Sequence, residues 1–427
     1  MVTPFLRTLL AAWLSLPLTA AAARGAGAPA GADWPEFHGP RRDNRSPETG
    51  LLRKWPEGGP KLLWTASGLG AGFSTVAIAG DTLYTAGKVK DRTYVFALDL
   101  DGELRWKALN GGAWEAPRRA RWARNQDGSR ATPTVVGDRA FHMNCLGRLA
   151  AFDARTGREL WALDLVKRFE ADPPRWGYAE SVLVADGRLF CYPGGRKGYM
   201  VALKPEDGSV AWANTAIGEP PSYSSAVLVA FAGERQLITM TAKGVIGVRP
   251  RDGVLLWRYP HANRRGINVA TPIFADGRVY VSTGYGAGGV MVALRQDEGR
   301  VAAEKGWFHK APDNHHGGIV LVDGHLYGSG DHQRGWWCLA LATGEVKHTH
   351  RGVGKGSVSY ADGMLYCLGE RGEMALVEAT PQAHRIVSRF TAPRGGDGLH
   401  WGHPVIRRGR LYVRHADRLF CYDVRAE

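Results

Sequence analysis

A strand–turn–strand unit that returns along most of the chain is the sequence feature that constrains the fold most. Past about residue 60 it recurs at intervals of roughly 40 to 57 residues, which is typical of a repeat architecture. Its clearest element is Asp-Gly between two apolar runs, because a type I′ hairpin turn needs positive φ at both central residues. Examples are SVLVADGRLFCY (181–192), TPIFADGRVYVS (271–282), IVLVDGHLYGS (319–329) and VSYADGMLYCL (358–368). The first half of each unit is therefore predicted to be a β-hairpin.

The second half of the unit is another hairpin, and it ends in Trp. It reads AFDARTGRELW (151–161), ALKPEDGSVAW (202–212) and GVRPRDGVLLW (247–257). Four antiparallel strands per unit make one blade of a propeller. The 56 Gly and 15 Trp of the 427-residue chain agree with many tight turns and a repeated aromatic position. We expect these Trp side chains to pack against the next blade and not to form a binding platform.

Counting the second strands of the units gives eight blades. Their aromatic or aliphatic markers are Tyr84, Phe141, Phe190, Ile238, Tyr280, Tyr327, Tyr366 and Tyr412. The fourth strands end at Trp106, Trp161, Trp212 and Trp257, and the Trp position is then expected to degrade near Ala303, His348 and Ser388. The last unit (403–427) stops after its third strand, and the segment GPKLLW, which ends at Trp64, can supply the fourth. The predicted fold class is therefore all-β: a single eight-bladed β-propeller of four-stranded antiparallel blades, closed by an N-terminal strand that completes the last blade.

The N-terminus has the pattern of a cleaved secretory signal. A thin positive region at Arg7, an apolar run from Leu9 to Leu18 and small residues up to Ala23 precede Arg24. We expect a signal peptide at 1–23, an N-terminal extension at 24–59 and the propeller at 60–427. The alternative is an uncleaved anchor, but the apolar run is shorter than the roughly 20 residues a bilayer span needs. No cysteine follows the run, so no lipoprotein anchor is expected, and the mature protein is predicted to be periplasmic or secreted.

Five cysteines, an odd number, leave at least one without an intramolecular partner. No C-x-x-C pair occurs among them, so neither a redox motif nor a haem attachment site is indicated. An oxidising compartment permits a disulfide, and the sequence does not specify one.

The second half of the unit resembles the repeat of the PQQ-like (quinoprotein alcohol dehydrogenase-like) β-propellers. That repeat runs roughly A-x-D-x-x-T-G-x-x-x-W, and Ala151, Asp153, Thr156, Gly157 and Trp161 match it. The flanking phrases WPEFHGP (34–40), WGYAESVLV (176–184), NHHGGIVLV (314–322) and WGHPVI (401–406) resemble a BamB-like exported subgroup.

The resemblance implies two classes of function, because the same fold hosts both. Some members are PQQ- and calcium-dependent alcohol dehydrogenases, and others are non-enzymatic scaffolds. This chain lacks the adjacent cysteine pair and the long covering insertions of the dehydrogenases, and it lacks the lipoprotein cysteine of the BamB scaffolds. We predict an exported binding or assembly module; the alternative is a quinoprotein dehydrogenase that oxidises an alcohol or sugar. Whether the chain is an enzyme stays open at this point.

Candidate binding residues lie just before the innermost strands, where the blades converge on the axis. One face has minimal hairpin turns, whereas the connections on the other are long and polar, at 107–130, 162–179, 193–199, 258–268, 304–316 and 389–400. Loops on a rigid scaffold often carry binding residues. The candidates at this channel mouth are Arg130, Glu180, Tyr223, Asn268, His316, Lys355, His400, Trp401 and His403, with Ser224 and His315 beside them. The alternative is a ring of polar side chains and water that fills the axis.

These candidates suggest different ligands. Glu180 and Asn268 carry oxygen donors of the kind calcium uses, so they are the metal ligands only if the protein is calcium-dependent. Arg130 and Lys355 suit an anionic ligand, such as the carboxylates of PQQ. No metal is expected at the paired histidines His315-His316 or at His400-x-x-His403, because adjacent residues on a strand point to opposite faces.

The charge of the chain bears on its partners. The 55 Lys+Arg against 41 Asp+Glu give a formal charge of +14, and Arg-rich stretches occur at 116–130 and 261–265. Because the protein is predicted to be exported, nucleic acid is not expected as a partner. The expected partner is a small anionic ligand, an anionic envelope polymer or an envelope protein. Solvated loops are the alternative interpretation of the basic stretches, and we expect a monomer.

Overall fold

The structure, a computed structural model, describes Met1 and residues 33–116, 126–316, 318–332 and 335–426. The expected signal peptide and the first part of the extension lie outside the described residues, as does most of the Arg-rich stretch at 116–130. In the described part, the eight predicted blades are confirmed as eight four-stranded antiparallel sheets. Strands and blades are both numbered in chain order.

The strand β1 (Leu62–Ala66) precedes blade 1. Blade 1 contains β2 (Ala77–Ala79), β3 (Thr82–Val89), β4 (Arg92–Asp99) and β5 (Leu104–Gly112). Blade 2 contains β6 (Thr134–Val136), β7 (Arg139–Met143), β8 (Arg148–Asp153) and β9 (Glu159–Asp164). Blade 3 contains β10 (Leu183–Ala185), β11 (Arg188–Cys191), β12 (Met200–Leu203) and β13 (Val210–Asn214). A short helix, α1 (Leu165–Phe169), follows β9, and the Asp164 carboxylate caps it by accepting from the Lys167 amide.

The other blades repeat this pattern. Blades 4 to 6 contain β14 (Val227–Phe231), β15 (Glu234–Met240), β16 (Val245–Val248), β17 (Leu255–Tyr259); β18 (Ile273–Ala275), β19 (Arg278–Thr283), β20 (Gly288–Asp297), β21 (Arg300–His309); and β22 (Ile319–Val322), β23 (His325–Ser329), β24 (Trp336–Ala340), β25 (Val346–His350). Blades 7 and 8 contain β26 (Gly356–Ala361), β27 (Met364–Gly369), β28 (Glu373–Glu378), β29 (Ile386–Thr391); and β30 (Val405–Arg407), β31 (Arg410–His415), β32 (Arg418–Asp423).

The first hairpins of blades 3 to 8 have the turn that the sequence predicts, with positive φ at both central residues. In blades 1 and 2 the turns are Gly80-Asp81 and Gly137-Asp138, where only the glycine has positive φ. Asp186 and Gly187 have φ of +52° and +66°, and Asp276 and Gly277 have +49° and +73°. The turn does not require Asp, since Arg408-Gly409 adopts the same signs at +56° and +64°. We call the end of the propeller that carries these hairpins the hairpin face. The opposite end, which carries the connections between blades and between second and third strands, is the loop face.

At five of the blade junctions the recurring Trp joins one blade to the next, as predicted. The indole of Trp161 donates to Pro205 O at 2.9 Å, and a Cβ added at Gly208 would lie 2.7 Å from that ring. The same pairing of an indole with a following-blade carbonyl and turn glycine occurs for Trp64 with Leu100 and Gly102, Trp106 with Ala154 and Gly157, Trp212 with Pro250 and Gly253, and Trp307 with Leu341 and Gly344. Glycine is therefore needed there for contact as well as for its positive φ.

Blade 5 corrects one detail of the sequence prediction. The Trp position does not degrade near Ala303, because Trp307 occupies it and lies opposite Met291 in the sheet. The reason is the long β20–β21 hairpin, which moves the Trp further along the chain. The same hairpin replaces the usual short turn next to blade 4, where the Trp257 indole donates instead to Gln236 Oε1 of its own blade at 2.6 Å.

The predicted ring closure is confirmed. β1 pairs with β32 in the sheet order β1-β32-β31-β30, and Trp64 lies opposite Cys421. The first strand of the propeller thus covers the edge that the last unit would otherwise expose. All five cysteines are buried without a disulfide.

The N-terminal extension has a role that the sequence did not reveal: residues 34–46, the plug, enter the central channel. Asp33 lies at the hairpin face, where its carboxylate accepts from the Gly80 amide at 2.8 Å, and Trp34 exchanges two main-chain hydrogen bonds with Ile78. The chain returns to the hairpin face at Leu51, whose amide donates to the Asp362 carboxylate at 3.0 Å. Between these points the plug fills the axis.

Arg42 holds the tip of the plug. Its side chain is 3% exposed and donates to Ser181 O and Ala226 O at 2.9 Å each, and to Val182 O at 2.5 Å. The buried charge is paired with Glu36 at 2.5 Å. Because these carbonyls belong to blades 3 and 4, a single side chain of the plug ties two inner strands together.

Candidate functional site

A cavity of about 430 Å³ opens at the loop face, over the tip of the plug. Its walls come from the segments that precede the inner strands and from the connections between second and third strands. Phe37 of the plug lines it, so the plug closes the channel below. The result is a blind pocket at the place where the sequence predicts a ligand site.

Lys355 is the centre of the charged wall. Its Nζ lies 2.7 Å from Asp331 Oδ1, 3.4 Å from Glu370 Oε1 and 2.5 Å from His315 Nδ1. Burial opposes the ionisation of Asp331, but the hydrogen bond and charge of Lys355 outweigh it, and the pKa of Asp331 is lowered. Lys355 is thus a cation held between two carboxylates.

An aromatic wall stands beside this cluster. The Trp401 indole donates to Glu370 Oε1 at 2.8 Å, which fixes the ring. His316 stacks on Trp401 with centroids 5.3 Å apart, and Phe73 lies 4.9 Å from the same ring. Rings held in this way offer flat apolar surface to a ligand.

Two arginines line the opposite side without a carboxylate partner. Arg130 donates to Gln126 O at 2.8 Å and lies over the Trp114 ring at 4.6 Å, and Arg265 lies over the Tyr285 ring at 4.9 Å. Among the described residues, neither guanidinium has a carboxylate within 4.0 Å. Tyr223 completes this side, accepting from the Trp176 amide at 3.2 Å.

The floor contains neutral histidines. His38 of the plug lies 2.8 Å from His403, ring nitrogen to ring nitrogen, and Phe37 stacks on His38. Burial lowers the pKa of His403 to about 4, and burial and Lys355 together lower the pKa of His315 to about 4. The same two causes hold the pKa of His316 well below its usual range. These rings are therefore uncharged near neutral pH.

The structure brings most of the predicted site residues together. Those that line the cavity are Arg130, Tyr223, His316, Lys355, Trp401 and His403, together with the neighbouring His315. The expectation that His315 and His316 face opposite ways was wrong, because both line the cavity from a bend ahead of β22.

The other three candidates, and Ser224 beside them, are not on the cavity wall. The Glu180 carboxylate is buried and accepts from the Tyr192 amide at 2.8 Å, and burial raises its pKa to about 7. The Asn268 amide donates to Thr241 O and accepts from Thr283. His400 stacks on His415 at 3.8 Å. Residues just before an inner strand can point into the blade interfaces as well as to the axis, which the sequence pattern does not distinguish.

The donor set does not fit a calcium site at the cavity. Glu180 and Asn268 use their oxygens in separate internal hydrogen bonds, and the two carboxylates that do reach the cavity, Asp331 and Glu370, both contact Lys355. Across the described ranges, no group of three or more His, Cys, Asp or Glu side chains is arranged to hold a metal ion. We therefore assign no chemical step to calcium.

The sequence prediction missed a second ring of cavity residues. Tyr285, Asp331 and Glu370 each follow the second strand of a blade by one or two residues, after β19, β23 and β27. The sequence prediction considered only residues that precede the first strand of a blade, and therefore missed these three. Examining the residues that follow each second strand would have found them. Phe73 precedes β2, the first strand of blade 1, and so meets the condition that the sequence prediction used. Phe37 has no such signal, since it belongs to no repeat.

Comparison with known proteins places this propeller in a family. A family model described as outer membrane protein assembly factor BamB matches residues 95–350, more than half of the chain. The chain belongs to the BamB family. A curated BamB of Shewanella oneidensis (strain MR-1) is 27% identical over 204 residues, and the match covers 46% of this chain and 48% of that protein. The match thus spans about half the length of this BamB relative.

Solved structures share the fold. BamB from Moraxella catarrhalis superposes with a TM-score of 0.60 at 14% identity, over 85% of this chain and 99% of that one. The quinohemoprotein alcohol dehydrogenase of Comamonas testosteroni gives 0.63 at 11% identity, over 92% and 80%, and that of Pseudomonas putida HK5 gives 0.62 at 12%, over 93% and 81%. At these identities the likeness shows the fold alone, which the BamB family shares with the dehydrogenases.

Within the described part of this BamB-family chain, no helix has the length and apolar character that a membrane crossing requires.

Proposed function

We propose that this protein is an exported binding module that takes an anionic ligand into the cavity of its loop face. The observation that carries the proposal is the pair Arg130 and Arg265, which line the cavity and have no carboxylate partner among the described residues. Guanidinium groups that line a cavity and have no carboxylate partner favour an anion. The formal charge of +14 adds a general attraction for such a ligand.

The aromatic wall narrows the kind of ligand. Trp401, His316 and Phe73 present ring faces, and the plug closes the floor with Phe37. A ligand with a flat apolar face and a carboxylate matches both sides of the pocket. Carboxylated sugars have these features, and so does PQQ.

Two observations suggest where in the cell the module acts. The signal-like pattern at 1–23 and the description of the family as outer membrane protein assembly factor support a place in the cell envelope. An envelope protein or an anionic envelope polymer is then the proposed partner of the loop face. The dehydrogenase alternative needs a calcium donor set that the cavity does not provide among the described residues.

Calorimetric titration of the purified chain tests the proposal. The probes are a galacturonate trimer, PQQ with and without calcium, and a neutral glucose trimer. We expect an acidic probe to bind, the neutral trimer not to bind, and affinity to fall as salt rises. Arg265→Ala should weaken binding by about 10- to 100-fold, the value of a charge-assisted hydrogen bond.

Arg264→Ala is the matched control, because Arg264 is an exposed neighbour that does not line the cavity. Failure of every acidic probe to bind, or an equal loss in the Arg264 variant, would refute the proposed site. Reduction of an acceptor dye by the PQQ- and calcium-loaded protein would favour the dehydrogenase instead.

A further inference from the structure

Six side chains on the cavity wall form a continuous collar of aromatic rings with a guanidinium group at each end. In order they are Arg130, Phe73, Trp401, His315, Tyr285 and Arg265. Neighbours along this collar lie 5.6, 4.9, 5.8, 4.9 and 4.9 Å apart, measured between ring centroids or from a guanidinium carbon to a centroid. Because all six line one cavity, a ligand that enters it meets aromatic rings and guanidinium groups together.

Tyr285 presents a free hydrogen-bond donor on this wall. Asp331 Oδ1 accepts from Lys355 Nζ at 2.7 Å, and Lys355 Nζ lies 2.5 Å from His315 Nδ1. His315 Nε2 lies 3.0 Å from the Tyr285 hydroxyl. Because an ammonium group can only donate, His315 Nδ1 must accept, and the ring proton is assigned to Nε2. His315 therefore donates to the Tyr285 oxygen, whose own hydrogen has no acceptor among the described residues.

Glu370 presents the complementary acceptor. Its Oε1 accepts from the Trp401 indole at 2.8 Å and lies 3.4 Å from Lys355 Nζ. Its Oε2 accepts no hydrogen bond from the described residues and is not sealed off from solvent. One oxygen of this carboxylate therefore holds a ring of the collar, and the other stays open on a residue that lines the cavity.

A free donor and a free acceptor match hydroxyl groups, because each hydroxyl both donates and accepts. A ligand that only accepts would place its oxygens against the Glu370 carboxylate. An ammonium donor is disfavoured at Glu370 as well, because Lys355 already places a cation 3.4 Å from that carboxylate. The rings suit an apolar C–H face, and the guanidinium groups suit a carboxylate. A sugar acid carries all of these features on one ring.

The shape of the cavity limits which part of a glycan can enter. Its volume of about 430 Å³ lies toward the small end of the range of ligand pockets, roughly 300–1,000 Å³. Phe37 of the plug lines it, and Arg42 ties the plug to blades 3 and 4. A polymer therefore has no exit through the axis. An internal unit would have to turn both of its neighbours back through the same opening, whereas a chain end needs only one connection.

We propose that the cavity binds the terminal uronate of an anionic glycan. The inference rests on the proposed anionic-ligand site and names its ligand class. Arg265 pairs with the carboxylate, and the hydroxyl of the neighbouring Tyr285 donates to the sugar. Glu370 Oε2 accepts from a sugar hydroxyl, and the collar contacts the C–H face.

Recognition of the chain end is tested by the stoichiometry of binding. The full chain is titrated calorimetrically with the trimer, the hexamer and the dodecamer of galacturonate and with long polygalacturonate. We expect one protein per glycan chain at every length, with a nearly constant affinity per chain. Recognition of internal units instead gives several proteins on each long chain, and that result would overturn the inference.

Recognition of the hydroxyls is tested with a matched pair of acids. Galacturonate and cyclohexanecarboxylate both carry a carboxylate on a six-membered ring, but only galacturonate has hydroxyls. Glu370→Gln keeps an oxygen for the Trp401 indole and should weaken galacturonate by about 10- to 100-fold. The affinity for cyclohexanecarboxylate should stay the same or rise, because a negative charge is removed. Disturbance of the cavity as a whole would weaken both acids equally and would show that the role of Glu370 is wrong.

Tyr285→Phe keeps the ring in the collar and removes only the donor. It should weaken galacturonate by about 2- to 10-fold, the range of one hydrogen bond, and leave cyclohexanecarboxylate unchanged. Tyr94→Phe, which removes a hydroxyl away from the cavity, should bind both acids like the wild type. Equal affinities of Tyr285→Phe and the wild type for galacturonate would contradict the assigned contact.

The outcomes separate this inference from the proposed function. Binding of PQQ without binding of galacturonate or its oligomers overturns the sugar class and leaves the binding module intact. Several proteins on one long chain overturn recognition of the end and also leave the module intact. If no acidic probe binds, the proposed function fails as well.

Discussion

Arg42 is the residue through which the N-terminal plug is expected to stabilise the propeller. Its guanidinium donates to three main-chain carbonyls of blades 3 and 4 and pairs with Glu36. Replacing it by Ala leaves those carbonyls and the Glu36 carboxylate without their donor in the closed axis. Burial already raises the pKa of Glu36 against the opposing effect of Arg42, so Glu36 will take up a proton more readily in the variant.

The cost follows from the burial of the pair. Removing one partner of a buried, hydrogen-bonded ion pair typically costs about 3–5 kcal/mol. An unfolding entropy of about 2 cal/mol/K per residue gives roughly 0.9 kcal/mol/K for a chain of 427 residues. The melting temperature of Arg42→Ala should therefore fall by about 3–6 °C.

The neighbouring arginine is the control. Arg41 is 41% exposed and pairs with Asp43 at the surface, so Arg41→Ala should cost no more than about 1 kcal/mol and shift melting by about 1 °C at most. Arg42→Met fills the volume of the side chain and isolates the loss of its charge and hydrogen bonds. Thermal melting by circular dichroism at pH 7 measures all three. If Arg42→Ala and Arg41→Ala melt together, the plug does not stabilise the axis through this residue.

Further predictions concern ring closure, blade contacts and pH. A chain that begins at residue 60 keeps β1 and lacks the plug, whereas a chain that begins at residue 67 lacks both. The shorter chain should melt at a markedly lower temperature, because the edge of β32 is then unpaired. Equal melting temperatures would show that the β1–β32 pairing does not close the ring. Gly208→Ala should be more destabilising by chemical denaturation than Gly187→Ala, because both glycines have positive φ but only at Gly208 would the new Cβ meet an indole, at 2.7 Å; equal losses would mean that the Trp161 contact is unimportant. The pKa values of His142 and His403 are about 4 in the folded protein and about 6.5 in the unfolded chain. Between about pH 4 and pH 6.5 the unfolded chain therefore binds more protons than the folded protein. The stability that these two neutral histidines confer is complete above about pH 6.5 and is lost as the pH falls toward 4. Glu180 has the opposite effect, because its pKa is raised to about 7 in the fold and its protonation stabilises the folded protein as the pH falls from 7 to 5. Glu180→Gln should therefore make the melting temperature fall more steeply over that range. A slope that the substitution leaves unchanged would contradict the raised pKa.

Local sequence signals were sufficient for the architecture. Asp186-Gly187 and its equivalents define hairpins because few residue pairs tolerate positive φ twice in succession. A Trp in the fourth strand marks six of the eight blade boundaries. Since each blade contacts mainly its neighbours, counting units in the sequence counts blades in space. The missing strand of the last unit and the spare strand at Trp64 then required closure, which the β1–β32 pairing shows.

The cavity was predictable in position and only partly in composition. Arg130, His316, Lys355 and Trp401 were found because residues ahead of inner strands converge on the axis in any propeller. Glu180 and Asn268 satisfy the same rule but turn into the protein interior, where Tyr192 and Thr283 take their oxygens. The direction of a side chain at such a position depends on which partner offers the better hydrogen bond, and that partner is distant in sequence.

The sequence by itself thus determined the eight blades, their closure and the face that carries the cavity, because each of these follows from short-range patterns repeated along the chain. Only the tertiary structure decided that residues 34–46 enter the axis, that Arg42 joins two blades, and that Tyr285, His315, Lys355 and Asp331 form one array. The plug belongs to no repeat, and the array joins residues of three blades. Such contacts exist only after the ring has closed and brought distant segments to a common axis.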